Sequence, residues 1–398
     1  MGPSRPVADL DLTDPGFVAD PYPEMARMRA RGPVLWHEPT RRWLVFAHAE
    51  VDVALRDRRL GRWWSDRQPV SRFEPFNLLH RHQMMENEPP EHTRLRRLVA
   101  QAFGRGHVDR LRPRVAELAD GLLDAVDPDG FDVVAEYAEP LPVLVIAELL
   151  GMPPQDHRML RTWSQAIVRM YEERRTAGVE EAAVAASGHF ADYVREHARR
   201  KRREPGDDLL SDLVRAQHEQ DRLSEAEVVA SAVLLLNAGH EASVNVFGNG
   251  LVALLQHRDQ LALVRADPGV AVTAVEEMLR FDSALQLFER TATDAVPLGE
   301  QTVQPGEKVA VLLGSANRDE AVFARADALD VRRDPNPHLA FGAGVHFCLG
   351  APLARMELAE SLRRLVGAFP GLAPAGPPRR RPTLVLRGYE SVRVTGRG

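Results

Sequence analysis

One segment constrains this chain more than any other: from about Ser224 to Leu255 it reads as a single very long helix, opened by the capping box Ser224-x-x-Glu227. At ~1.5 Å per residue such a helix runs ~48 Å, enough to cross the molecule, so the rest of the fold must be arranged around it. Near its middle, apolar Leu234-Leu-Leu236 gives way to Asn237-Ala-Gly-His-Glu-Ala-Ser243. Glycine weakens a helix and polar groups here enter apolar surroundings, so a local break that marks a site is expected. Periodicity alone leaves open whether Glu241 belongs to that site or to a solvent-facing side.

Around this helix the chain is mainly α. Amphipathic stretches broken at Pro-Gly or Pro-Pro signals make residues 90–280 and 351–369 helix-rich. Short apolar segments separated by turn signals such as Pro305-Gly306 make residues 30–60, 290–311 and 383–394 β-rich, the last as a strand pair. A long irregular stretch, Gly314 to Gly350, precedes the last helix, and a loop of that length is usually functional or held by a ligand. The basic run Arg199–Arg203 beside Pro205-Gly206 reads as a solvated inter-helix loop. No repeat or linker divides the chain, so residues 1–398 are read as one domain, large enough to enclose a sizeable cofactor.

Several function classes fall away. One cysteine, Cys348, permits no internal disulfide and no multi-cysteine zinc or iron-sulfur site. The two lysines, Lys201 and Lys308, do not follow a glycine as a phosphate-binding P-loop requires. His240-Glu241 lacks the second histidine of a zinc-protease motif, because position 244 is Val244. A net charge of −6 offers no general attraction to nucleic acid. The amino terminus carries Pro6 and Asp9 where a signal peptide needs an apolar run, and no membrane span is evident, so a cytoplasmic protein is expected.

Three further motifs carry chemistry. In Phe341-Gly-Ala-Gly-Val-His-Phe-Cys348-Leu-Gly350, the glycines allow close approach to a flat ligand. Cys348 lies just before a helix start, where free backbone N–H groups can bond its sulfur. Taken alone it would read as an inert buried cysteine. Glu277-x-x-Arg280 places an ion pair on one helix face, and Pro89-Pro90-Glu-His92-Thr-Arg-Leu-Arg96 points two cationic donors the same way, as a carboxylate partner needs. Alone, either would pass for an ordinary surface feature.

Together these features resemble the cytochrome P-450 family, over essentially Asp14 to Val394. Phe341, Gly344, His346, Cys348 and Gly350 match its cysteine signature, followed by Leu353-Ala-Arg-x-Glu357. The resemblance implies a helix-rich lobe and a smaller β-rich lobe enclosing haem b, with Cys348 as the axial ligand of the iron. It implies that Glu277, Arg280 and Arg333 form the structural network holding the cysteine loop. His92, Arg96, Arg290 and His346 would bind the haem propionates, with Phe341 and Gly350 completing the cofactor site. The implied reaction is insertion of one oxygen atom from O2 into an apolar organic substrate. Electrons would come from NAD(P)H through a ferredoxin reductase and an acidic ferredoxin, the latter docking on a basic proximal face with Arg97, Arg105, Arg110 and Arg112. A monomer is implied.

One position departs from the family pattern: Ala238-Gly239-His-Glu241-Ala242-Ser243 has alanine where the family's oxygen-activating threonine stands. Alanine cannot order the water that delivers protons. A substrate hydroxyl or trapped water, a relay through Ser243 and Glu241, or a chemistry less dependent on proton delivery would each answer this, the first being preferred. The family's variable segments place the substrate pocket at about Trp63–Met85, Thr162–Ser187, Ala284–Phe288 and the tip Arg387-Gly388-Tyr389, with Leu79, Met84, Met85, Leu285 and Leu287 as lining residues. Arginine in great excess over lysine, with abundant alanine, points to an actinobacterial-type natural-product (secondary-metabolism, antibiotic-biosynthesis) oxidase. The alternatives are a haem-thiolate peroxide-dependent or oxidative-coupling catalyst and, more distantly, a non-enzymatic haem sensor.

Overall fold

The computed structural model describes residues 5–100, 103–172, 175–216 and 223–397. The long helix is present as Glu225–Gln256, and its capping box is closed in both directions. Ser224 Oγ accepts from Glu227 N at 3.2 Å, and Glu227 Oε2 from Ser224 N at 2.7 Å. The expected break is absent, because the segment stays helical through Gly239. A mid-helix glycine costs only about 1 kcal/mol, and here apolar neighbours on nearly every side offset it; Gly239 itself lies against Ile146 of helix Pro140–Leu149. No helix among the described residues is long and apolar enough to cross a membrane.

The carboxy-terminal helix Ala351–Ala368 packs on Arg105–Asp124 and on Ala271–Phe281, which in turn packs on the long helix. The main sheet lies to one side. Its spatial order is Val34–His37, Arg42–Val45, Lys308–Val311, Phe288–Ala292 and Leu60–Gly61, antiparallel except where Arg42–Val45 runs parallel to Lys308–Val311. Helix-rich and β-rich parts therefore stand as expected at the coarse level.

Three local readings need correction. The 30–60 region holds a helix, His48–Arg56, between its strands, and further helices such as Val70–Arg81 precede residue 90. The tail strands Tyr389–Ser391 and Arg393–Thr395 do not pair with each other. The first joins Arg379–Arg380, and the second lies between Phe131–Asp132 and Ala373–Pro374. Only Val392 separates them, too little chain for a hairpin turn. Arg199–Arg203 is the last turn of helix Ala177–Arg203, not a loop. Positive side chains suit a helix carboxy-terminus, where unpaired carbonyls concentrate negative charge.

The irregular stretch 314–350 is held from beneath by a buried polar cluster. Arg280 grips Glu277 with two hydrogen bonds of 2.7 and 2.8 Å and donates to the carbonyls of Asn317, Ala326 and Ala328. The Glu277 carboxylate also accepts from Arg333 Nε, Asn336 Nδ2 and Asp330 N. Asn317 Oδ1 then accepts from Leu339 N at 2.7 Å, carrying the anchorage into the cysteine loop. Gly344 lets that loop close: its φ is +69°, and an added Cβ would lie 2.5 Å from the Leu55 carbonyl oxygen.

Candidate active site

A cavity lies between the long helix and the cysteine loop. Leu234, Leu235, Ala238, Gly239, Ala242, Ser243 and Val246 line one wall, the recurrence expected of a single helix face. Phe341, Gly342, His346, Phe347, Cys348, Leu349 and Gly350 line the opposite wall, with Leu353, Ala354 and Glu357 from the helix that follows.

Cys348 is fixed from both sides. Its N–H donates to Phe341 O at 2.9 Å, and the N–H groups of Gly350 and Ala351 hydrogen-bond its sulfur. Burial pushes the thiol up, and those N–H groups with Arg96 and Arg355 act in the opposite sense. A metal ion replaces the thiol proton outright, so a raised thiol is compatible with a thiolate ligand.

Nitrogen donors gather along one edge. His92, Arg96, Arg290 and His346 all line the cavity. His92 Nδ1 and Arg290 Nε are buried without a partner. Burial drives His92 down to about 4 and Arg290 down to about 9. Buried donors without acceptors are costly, and two carboxylates entering at this edge would satisfy them. The donor set therefore fits the propionates of a haem, and Cys348 fits its iron.

Other expected residues lie elsewhere. Glu241 is buried but faces away from the cavity, where Arg381 donates to it at 3.2 Å and also to Glu139 at 3.1 Å. Arg161 completes this network on Glu139. Burial raises the Glu241 carboxyl and lowers neighbouring His240 to about 3. Met84, Met85 and Leu285 line the cavity, whereas Leu79 and Leu287 are not among its lining residues. Leu79 belongs to the main helical core and Leu287 to the cluster with Phe17, Met25 and Leu44. Leu287 precedes the strand Phe288–Ala292, whose alternate residues Phe288 and Arg290 line the cavity. None of the described Thr162–Ser187 residues lines the cavity, and residues 173 and 174 of that stretch lie outside the described residues. The tip residue Arg387 instead pairs with Asp282 at 2.7 Å.

Sequence reasoning gave no role to Glu357, the one carboxylate on the cavity wall among the described residues. No hydrogen bond or ion pair among them reaches it, and burial pushes it up to about 8. Its raised folded value means that stability is fully present below the ordinary carboxylate range and is lost as pH rises through about 8. Glu357→Gln should therefore match the parent near pH 4 and exceed it at pH 9 by on the order of 4 kcal/mol. Urea unfolding of the haem-free chains at both pH values checks this; a pH-independent difference would contradict it.

Known proteins agree with this geometry. A family model described as Cytochrome P450 matches residues 270–386. The chain is 41% identical over 378 residues to the cytochrome P450 monooxygenase PikC of Streptomyces venezuelae, covering 93% of this chain and 89% of that one. It is 42% identical over 373 residues to nocardicin C N-oxygenase of Nocardia uniformis subsp. tsuyamanensis, covering 91% and 92%. The crystal structure of P450BioI in complex with hexadec-9Z-enoic acid ligated acyl carrier protein superposes with a TM-score of 0.92 at 31% identity, over 96% of this chain and 100% of that one. With cavity, cysteine loop and relatives in accord, the chain belongs to the cytochrome P450 family and is a cytochrome P450 monooxygenase.

Proposed function

We propose that this enzyme inserts one oxygen atom from O2 into an apolar intermediate of natural-product biosynthesis. The observation that carries the reading is the cavity itself, with Cys348 in one wall, Ala238, Gly239 and Ala242 in the other, and an apolar remainder that includes Met84, Met85, Ile146, Leu285 and Phe288. A relative named for its action on nocardicin C supports a small natural product as substrate class. We read residues 1–398 as one cytoplasmic, monomeric P450 domain.

Haem b, when bound, supplies reductive activation of O2, and thiolate ligation favours O–O cleavage. The chain's own residues provide the rest. Cys348 holds the iron; His92, Arg96, Arg290 and His346 hold the propionates; Phe341 and Gly350 flank the site. The apolar wall excludes bulk water and keeps the substrate oriented. Electrons from NAD(P)H arrive through a ferredoxin reductase and an acidic ferredoxin. Exposed Arg97 and Arg110, beside Arg112, favour docking of such a partner; Arg105 lies outside the described side chains. Incubation with ferredoxin, reductase, NADPH and a panel of apolar natural products under 18O2 tests the reading. A product heavier by one labelled oxygen is expected, and NADPH-independent turnover alone would contradict it.

Ala242 faces the cavity and offers no donor, while Glu241 faces away from it. Proton delivery is therefore assigned to a substrate hydroxyl or trapped water, with Ser243 as the remaining hydroxyl on that wall. Ala242→Thr should fill the space of that donor and lower product per NADPH with the enzyme's own substrate by about threefold or more. Unchanged coupling would count against the assignment. The same alanine favours a second reading, peroxide-dependent oxidation or oxidative coupling, which sustained turnover with hydrogen peroxide alone would support.

A further inference from the structure

We infer that Glu88 is a positioning residue for haem, fixing the His346 imidazole so that its other ring nitrogen is presented to a propionate. The inference rests on the haem site proposed above. Glu88 precedes Pro89-Pro90 at the entrance to helix Glu91–Ala100, which carries His92 and Arg96. Its Oε1 accepts from Arg62 N at 2.6 Å and bonds His346 Nε2 at 2.8 Å, a link spanning 258 residues. Both side chains are more than nine-tenths buried. Gly61 keeps the space for it: an added Cβ there would lie 3.0 Å from Glu88 Cγ.

Glu88 itself does not line the cavity, whereas His346 does, so it acts through the histidine. The two imidazole nitrogens lie on different ring edges, and engaging Nε2 leaves Nδ1 as the group available to a ligand. Carboxylates orient metal-binding histidines by the same logic. His92 stands beside this ring, with centroids 4.5 Å apart and its own Nδ1 unpartnered, so the two imidazoles form one donor pair. Glu88 forms no ion pair with either arginine beside it among the described residues: the Arg62 guanidinium pairs with Glu86 and lies over the Phe288 ring, and Arg290, whose charge acts on Glu88, is joined to it by no hydrogen bond or salt bridge.

Haem loss from the ferric holoprotein to apomyoglobin, measured for the parent, Glu88→Ala, His346→Ala and the double variant, tests this. Glu88→Ala should accelerate loss about tenfold in the parent, and less than about twofold once His346 is gone, since positioning acts only through that ring. Equal acceleration in both backgrounds, or none in either, would overturn the inference. Should Glu88→Ala fail to fold, Glu88→Gln retains the oxygen without the charge. It should shift the propionate bending band in the resonance Raman spectrum, and an unmoved band with an unmoved loss rate would overturn the inference. A parent protein that takes up no haem would instead refute the function proposed above.

Discussion

Arg280→Leu should leave little protein folded at 37 °C. Its guanidinium is fully buried and makes five hydrogen bonds, two to Glu277 and three to carbonyls of the loop that leads to the cysteine. Removing it strands the Glu277 carboxylate, equally buried, with Arg333 as its remaining cation. Breaking a buried pair costs about 3–5 kcal/mol, a large part of the roughly 5–15 kcal/mol that holds a domain folded. The exposed pair Arg364–Asp120, 2.6 Å apart with both side chains more than a third accessible, is the control. Its loss should cost under about 1 kcal/mol. Urea midpoints of the two variants decide the matter, and equal midpoints would show that the cluster does not anchor the loop.

Cys348→Ala should reduce oxygen insertion to the uncatalysed background while leaving the helical circular-dichroism signal intact. The thiol carries no structural bond of its own beyond the N–H groups of Gly350 and Ala351, and the loop around it is held by the Glu277 cluster, so the fold does not depend on the sulfur. The chain has no other cysteine to substitute. Activity above background in this variant, measured as product per enzyme with NADPH and redox partners, would mean that another group ligates the iron.

What was legible in the sequence was local chemistry. The capping box at Ser224 and Glu227, the Glu277–Arg280 spacing and the glycine-framed Cys348 loop each involve residues a few positions apart, whose geometry follows from helix or turn periodicity. Partners distant in sequence were not legible. Glu241 meets Arg381 across 140 residues and Glu88 meets His346 across 258, and no periodicity links them. Glu241 was consequently expected at the cavity, although the i, i+4, i+7, i+11 face of Leu235, Gly239, Ala242 and Val246 turns it away. Leu79 and Leu287 lie in core clusters and off the cavity lining for a different reason, since an apolar side chain lining a cavity and one filling the core have the same composition and pattern. The basic run at Arg199–Arg203 misled because charge alone does not separate a solvated loop from a solvated helix end.

Cys348 is proposed to bind haem iron as a thiolate, and the rest of the site's chemistry depends on that bond. Its most direct test is the optical spectrum of the dithionite-reduced, carbon-monoxide-bound protein beside the Cys348→Ala variant. A strongly red-shifted Soret band is expected in the parent and none in the variant. An unshifted band in both, or no haem spectrum from properly haem-loaded parent protein, would contradict it.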